Sequence, residues 1–146
     1  MSPRTFLILL PIIGGIAGTL QAHFMGTMDS KLGTVESMFN TYGGGGLLIG
    51  LAMLLVKGGS LGDWQTVPWY VLTAGVMGLV VVGTLGFTAP RLGLVPVLTL
   101  FVAAQFFVGA GLDHFGLLGA EVRPLDLSRA SGLGAILLGV WLVLRP

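Results

Sequence analysis

Cysteine is missing from this chain of 146 residues, which excludes disulfides, thiolate metal sites and a cysteine nucleophile. Charge is scarce as well. Lys, Arg, Asp and Glu make up 9% of the residues, against roughly 25% in soluble domains. So few ions cannot coat a water-facing surface. A net charge of +1 leaves no basic face for nucleic acid. The two histidines have no spaced triad around them, so His114 beside Asp113 and Glu121 is a poor basis for a metal site. GxSxG, HExxH and Walker patterns are lacking, so neither an enzyme nor a cofactor protein is expected.

What the chain has is apolar length. Hydrophobic residues reach 54%, and the mean hydropathy is +0.96. An all-α integral membrane protein follows, with the lipid bilayer as its first partner. The 25 glycines fit that class, because small residues let membrane helices approach closely. The chain is too short for a transporter with two multi-helix halves, but long enough to supply one.

Residues 102–116, VAAQFFVGAGLDHFG, carry the most informative polar group. Gln105 lies inside an apolar run, where an unpaired amide is costly, so it must face protein or a water-filled cavity. Around it the chain reads as one membrane domain, residues 1–146, of five helices at about 6–28, 35–56, 68–88, 92–112 and 129–145. The first run follows Arg4, covers ~30 Å of hydrocarbon, and is too long for a signal peptide. Residues 26–34 read as a turn, with Thr34 capping the second helix and Glu36 in its first turn. Residues 57–63 read as a flexible loop, followed by Trp64, Trp69 and Tyr70, an aromatic belt. Pro90 disfavours helical geometry at Ala89 and marks a tight reversal. Asp126 or Ser128 can cap the fifth helix, and Trp141 is an interface anchor near its end.

Several residues admit two readings. Gln21, Asn40 and Gln105 either line a solute path or act as hydrogen-bonding glue between helices, and Tyr42 can shape the same path. Gly14, Gly18, Gly43, Gly46 and Gly50 read as helix-packing positions. His23 projects about 200° from Gln21 on an α-helix, which places it near the interface or in a proton-coupling role. Asp113 stands at a helix C-terminus, where the dipole disfavours an anion, and so invites a cation partner or a role in ion coupling. Arg91 flanks the opposite end of that helix, and reaches Asp113 only if a second, antiparallel chain brings it there.

The positive-inside count does not choose an orientation. Arg4, Lys57, Arg123 and Arg129 fall on one face, and Lys31, Arg91 and Arg145 on the other. Four against three is near balance. Either other determinants decide the orientation or the chain inserts both ways; insertion both ways allows an antiparallel, dual-topology homodimer of ten helices, the two-chain form of an inverted repeat.

Residues 102–116, then Arg123-Pro124-Leu125 and 132–145 (GLGAILLGVWLVLR), resemble the YdcZ-type family of the drug/metabolite transporter superfamily. GGIAGTLQAHF (14–24), FNTYGGGG (39–46) and APRLG (89–93) are similar to its earlier elements, with Gln21 and Asn40 at matching polar positions. The resemblance covers essentially the whole chain. It implies a multi-pass protein of the bacterial inner membrane, a five-helix half-transporter often of dual topology. It does not imply a substrate. The distantly related small multidrug exporters carry a Glu in helix one; the first helix as read here has Gln21 and His23 instead, so carboxylate-based proton exchange is not inherited.

The expected function is secondary transport of an unidentified small solute by alternating access, through a polar midplane cavity in an antiparallel dimer. One alternative is a small-ion channel of dual topology. GGIAG with Gln21 and the glycine run is loosely similar to small fluoride channels, although their Thr/Phe-rich break is missing from residues 71–88. The other alternative is a non-transporting membrane scaffold.

Overall fold

The computed structural model describes residues 3–56 and 61–145. Helices are the regular secondary structure among those residues. The α-helices are α1 (Pro3–Leu32), α2 (Thr34–Leu55), α3 (Ala74–Leu92), α4 (Leu94–Phe115) and α5 (Leu127–Leu144). Five stretches, those of α1, α2, α4 and α5 and the stretch Trp69–Leu92, are long and apolar enough to cross a membrane. Residues 57–60 of the expected loop lie outside the described residues; the chain resumes in two 3-10 turns, Leu61–Thr66 and Trp69–Thr73, leading into α3. Two compact units divide the chain, Met1–Arg91 and Leu92–Pro146.

In the first unit the expected turn at 26–34 is almost absent. α1 continues to Leu32, and Gly33 alone joins it to α2. Gly33 has φ 108° and ψ 163°, a region essentially closed to residues with a Cβ. Gly33 also takes the N-cap position, and Thr34 does not cap α2: its hydroxyl donates to Asp29 Oδ1 at 2.5 Å. The polar residues 26–34 read as a turn because polarity in a membrane chain resembles a helix end. Here residues 26–32 are about the last two turns of α1. α3 likewise runs through Pro90 to Leu92 rather than ending at Thr88. Proline disfavours helical geometry before it without forbidding it, and the Pro90 ring is held against α1, where a Cβ on Gly26 would lie 3.2 Å from Pro90 Cδ.

The buried residues of this unit are Ala22, Met25, Gly26, Asp29, Ser37, Val82, Leu85, Gly86 and Ala89. They come from the C-terminal halves of α1 and α3 and the start of α2. Ser37 Oγ donates to the Met25 carbonyl at 3.1 Å, tying α2 to α1. α3 meets them through glycines. Tyr42 covers Gly78, and Cβ atoms on Gly83 and Gly86 would lie 2.9 Å from Met38 Sδ and 3.2 Å from Met25 Cε. The glycines singled out from sequence are placed differently. Within their unit Gly14, Gly18, Gly46 and Gly50 have nothing within 4 Å of a Cβ position, and Gly43 has only the ring of Phe39. Their faces stand open.

In the second unit α4 starts after Gly93, whose φ of 88° and ψ of 151° repeat the geometry of Gly33. The local sequences repeat too, Lys31-Leu32-Gly33-Thr34-Val35 against Arg91-Leu92-Gly93-Leu94-Val95. α4 extends past the expected Leu112 to Phe115 and stops at Gly116, which is left-handed. A short 3-10 turn, Leu117–Gly119, leads to an extended segment and α5. Of the two candidate caps, Asp126 serves: its Oδ1 accepts the Arg129 N–H at 2.7 Å. At the other end of α5 the Arg145 guanidinium stacks 3.4 Å over Trp141, a pairing suited to a membrane interface.

Candidate functional site

The polar residues expected to line a path fall in both units. Gln21 and His23 are exposed on α1. Asn40 is exposed on α2, its Nδ2 3.2 Å from Met28 Sδ. Tyr42 is 37% exposed and leans on Gly78. Gln105 belongs to the second unit, and each group is therefore described in its own unit.

A salt bridge in the first unit involves a residue the sequence did not single out. Arg91 Nη1 lies 2.9 Å from Asp29 Oδ2, with the Asp29 side chain 2% exposed and that of Arg91 49%. The same guanidinium donates to the Phe87 carbonyl and stacks 3.6 Å over the Phe87 ring. Asp29 thus ties the end of α1 to the end of α3, and its other oxygen takes the Thr34 hydroxyl. The first helix does carry a carboxylate once its last turn is counted, but this one is fully engaged. Arg91 has a partner within its own chain.

In the second unit a cleft of about 400 Å³ opens between α4 and α5. Gln105 and Asp113 contribute from α4, Arg123 from the connecting segment and Arg129 from α5; Phe106, Leu133 and Ile136 supply apolar wall. The connecting segment is folded back by two bonds. The Arg123 N–H donates to the Asp113 carbonyl at 2.8 Å, and the Leu125 N–H donates to His114 Nδ1 at 3.0 Å. Arg129 Nη1 reaches the Arg123 carbonyl at 3.3 Å. Arg123 itself pairs with Glu121 at 2.7 Å. That hydrogen bond and charge hold the Glu121 carboxyl below the usual range, and the bond to Glu121, more than the charge of Asp113, raises Arg123.

Gln105 and Asp113 were legible from their positions in the apolar run. Arg123 and Arg129 were not, because Arg123 reaches the cleft through the fold-back of an irregular segment and Arg129 through the packing of the first turn of α5 beside α4. A cavity of this size is within the ordinary range for small-molecule sites, and its opposed charges and single amide can orient a polar group against an apolar wall.

No match was found among the curated proteins or the solved structures. Residues 6–142 match the model of the family described as "Putative inner membrane exporter, YdcZ". With five stretches of spanning length, this is a multi-pass inner-membrane protein. The chain belongs to the YdcZ family.

Proposed function

We propose that the chain is a half-transporter that exports a small solute by alternating access. Two copies inserted in opposite directions form the working unit, and Gln21, Asn40, Tyr42 and Gln105 line its path. The observation that carries the reading is the family match, which extends over residues 6–142 of the chain. The exposed surfaces support it. No residue is buried in the most apolar windows of α2 and α5, and the faces of Gly14, Gly18, Gly46 and Gly50 are open within their unit. Lipid can cover apolar surface. Open glycine faces suit the close approach of another helix or a moving solute. The exporter family points to transport rather than catalysis.

Gln21, Asn40 and Gln105 replaced together by Leu provide the test. The triple variant is expected to assemble like the parent and to lose solute efflux from intact cells. Efflux at the parental rate sinks the proposed lining. Flux that rises linearly with solute and shows no counter-exchange marks a channel. A cellular phenotype retained without any flux marks a scaffold.

A further inference from the structure

Two opposite charges on the wall of the α4–α5 cleft, Asp113 and Arg129, make no salt bridge among the described residues. The ion pairs among the described residues are Arg91–Asp29 and Arg123–Glu121; Asp113 feels the charge of Arg123 without a direct contact, and the Arg129 guanidinium has no carboxylate against it there. Both line the same cleft. Asp113 is held in the last turn of α4, and its carbonyl is already occupied by the Arg123 N–H. The Arg129 main chain is fixed by the Asp126 cap, while its guanidinium makes one long bond to a carbonyl. A guanidinium has five N–H donors, so most of its capacity is free for an incoming anion. Arg123, neutralised by Glu121, adds little net charge. Below this charged mouth the wall turns apolar along Phe106, Leu133 and Ile136. Gln105 lies about 12 Å from Asp113 along the helix, at a rise of 1.5 Å per residue.

We propose that this cleft binds a zwitterionic head attached to an apolar body. The ammonium sits on Asp113, the carboxylate or phosphate on Arg129, and the apolar part runs down toward Gln105. A singly charged ligand covers one of Asp113 and Arg129 without supplying its counter-charge, which is the costlier outcome. Two sources offer this chemistry, a free apolar amino acid and the headgroup of a zwitterionic phospholipid. The inference deepens the export reading and rests on it for the bound molecule being cargo, since Gln105 belongs to the proposed path.

The test uses the full chain in uncharged maltoside micelles and calorimetric binding. The probes are L-phenylalanine, its cationic amide, its anionic N-acetyl form, and short-chain phosphatidylethanolamine against phosphatidylglycerol. The zwitterion of at least one set is expected to bind about tenfold or more tightly than its singly charged analogues, the scale of one lost charge-assisted bond. Asp113→Asn should then accept the N-acetyl form as well as phenylalanine. Arg129→Gln should accept the amide equally, and Arg129→Lys should restore discrimination in part. Thermal unfolding of each variant at the parental temperature shows that the fold is kept. Preference for phenylalanine identifies a solute site, and preference confined to phosphatidylethanolamine identifies a lipid site; either supports zwitterion recognition. Equal binding of singly charged probes, no binding of either zwitterion, or variants that leave the ranking unmoved overturns it. The two readings fail separately. Binding with this ranking but no flux in proteoliposomes sinks export, whereas saturable flux of some other solute without this ranking sinks only the zwitterion.

Discussion

Asp29 and Arg91 are unequal partners, and the inequality sets what their removal does. The Asp29 side chain is 2% exposed and that of Arg91 49%. Deleting Arg91 strands a buried carboxylate with only the Thr34 hydroxyl; deleting Asp29 leaves a guanidinium that already meets its surroundings and keeps Phe87. Arg91→Leu is therefore expected to cost about 1–3 kcal/mol, below the full figure for a buried pair because of that exposure. Asp29→Asn should cost less. Thermal unfolding of both single variants and the double variant measures the difference; equal losses would mean that Asp29 is hydrated rather than buried. Sequence reasoning recognises Arg91 as a cation in search of a carboxylate. It cannot recognise Asp29, because a helix end and an interfacial turn share the same polar composition. At the cleft the same limit appears in another form: Gln105 and Asp113 stand out from an apolar background, while Arg123 and Arg129 look like ordinary loop and helix-start residues.

The number and kind of helices were readable from apolar length alone; their ends were not. Helices one, three and four run on to residues 32, 92 and 115 where composition suggested 28, 88 and 112. Each extension carries polar groups or a proline, and hydropathy does not separate a polar last turn of helix from a loop. Glycines show a related limit. Composition marks small faces, but contact depends on where helices cross. Gly78 is crossed by Tyr42, and an added Cβ would overlap the Tyr42 hydroxyl. Gly78→Ala is therefore expected to cost about 1–3 kcal/mol as an overpacking change, with part recovered by Tyr42→Phe. Gly44 has open space within its unit, so Gly44→Ala should leave stability unchanged or raise it by up to about 1 kcal/mol through helix propensity. Unfolding followed by circular dichroism compares the two. A loss at Gly44 as large as that at Gly78 would show that the glycine face of α2 is covered in the assembled protein.

Orientation belongs to the whole molecule, and it turns on a near balance of charge. If every helix crosses, Lys31 and Arg91 lie on one face with Arg145, and residues 57–68 and 116–126 lie on the other. The cations then divide four against three, too evenly to commit the first helix. Single cysteines at Lys31, Gln65 and Val122, introduced into a chain with none of its own, each report one face. About half of each is expected to react with a membrane-impermeant thiol reagent in intact cells, as equal insertion both ways requires. Labelling of Lys31→Cys from one side only, with the other two from the opposite side, rules out the antiparallel homodimer. Charge can then be used to impose each orientation. Arg at both Gln65 and Val122 raises their face to six against three, and Arg at Ser30, Val35 and Leu92 raises the face of Lys31 to six against four. Each fixed variant alone should lose efflux, because it cannot supply an oppositely inserted partner. Expressed together, the two should recover it. Recovery requires both orientations in one working unit, whereas efflux by either fixed variant alone would mean that chains inserted in one direction suffice.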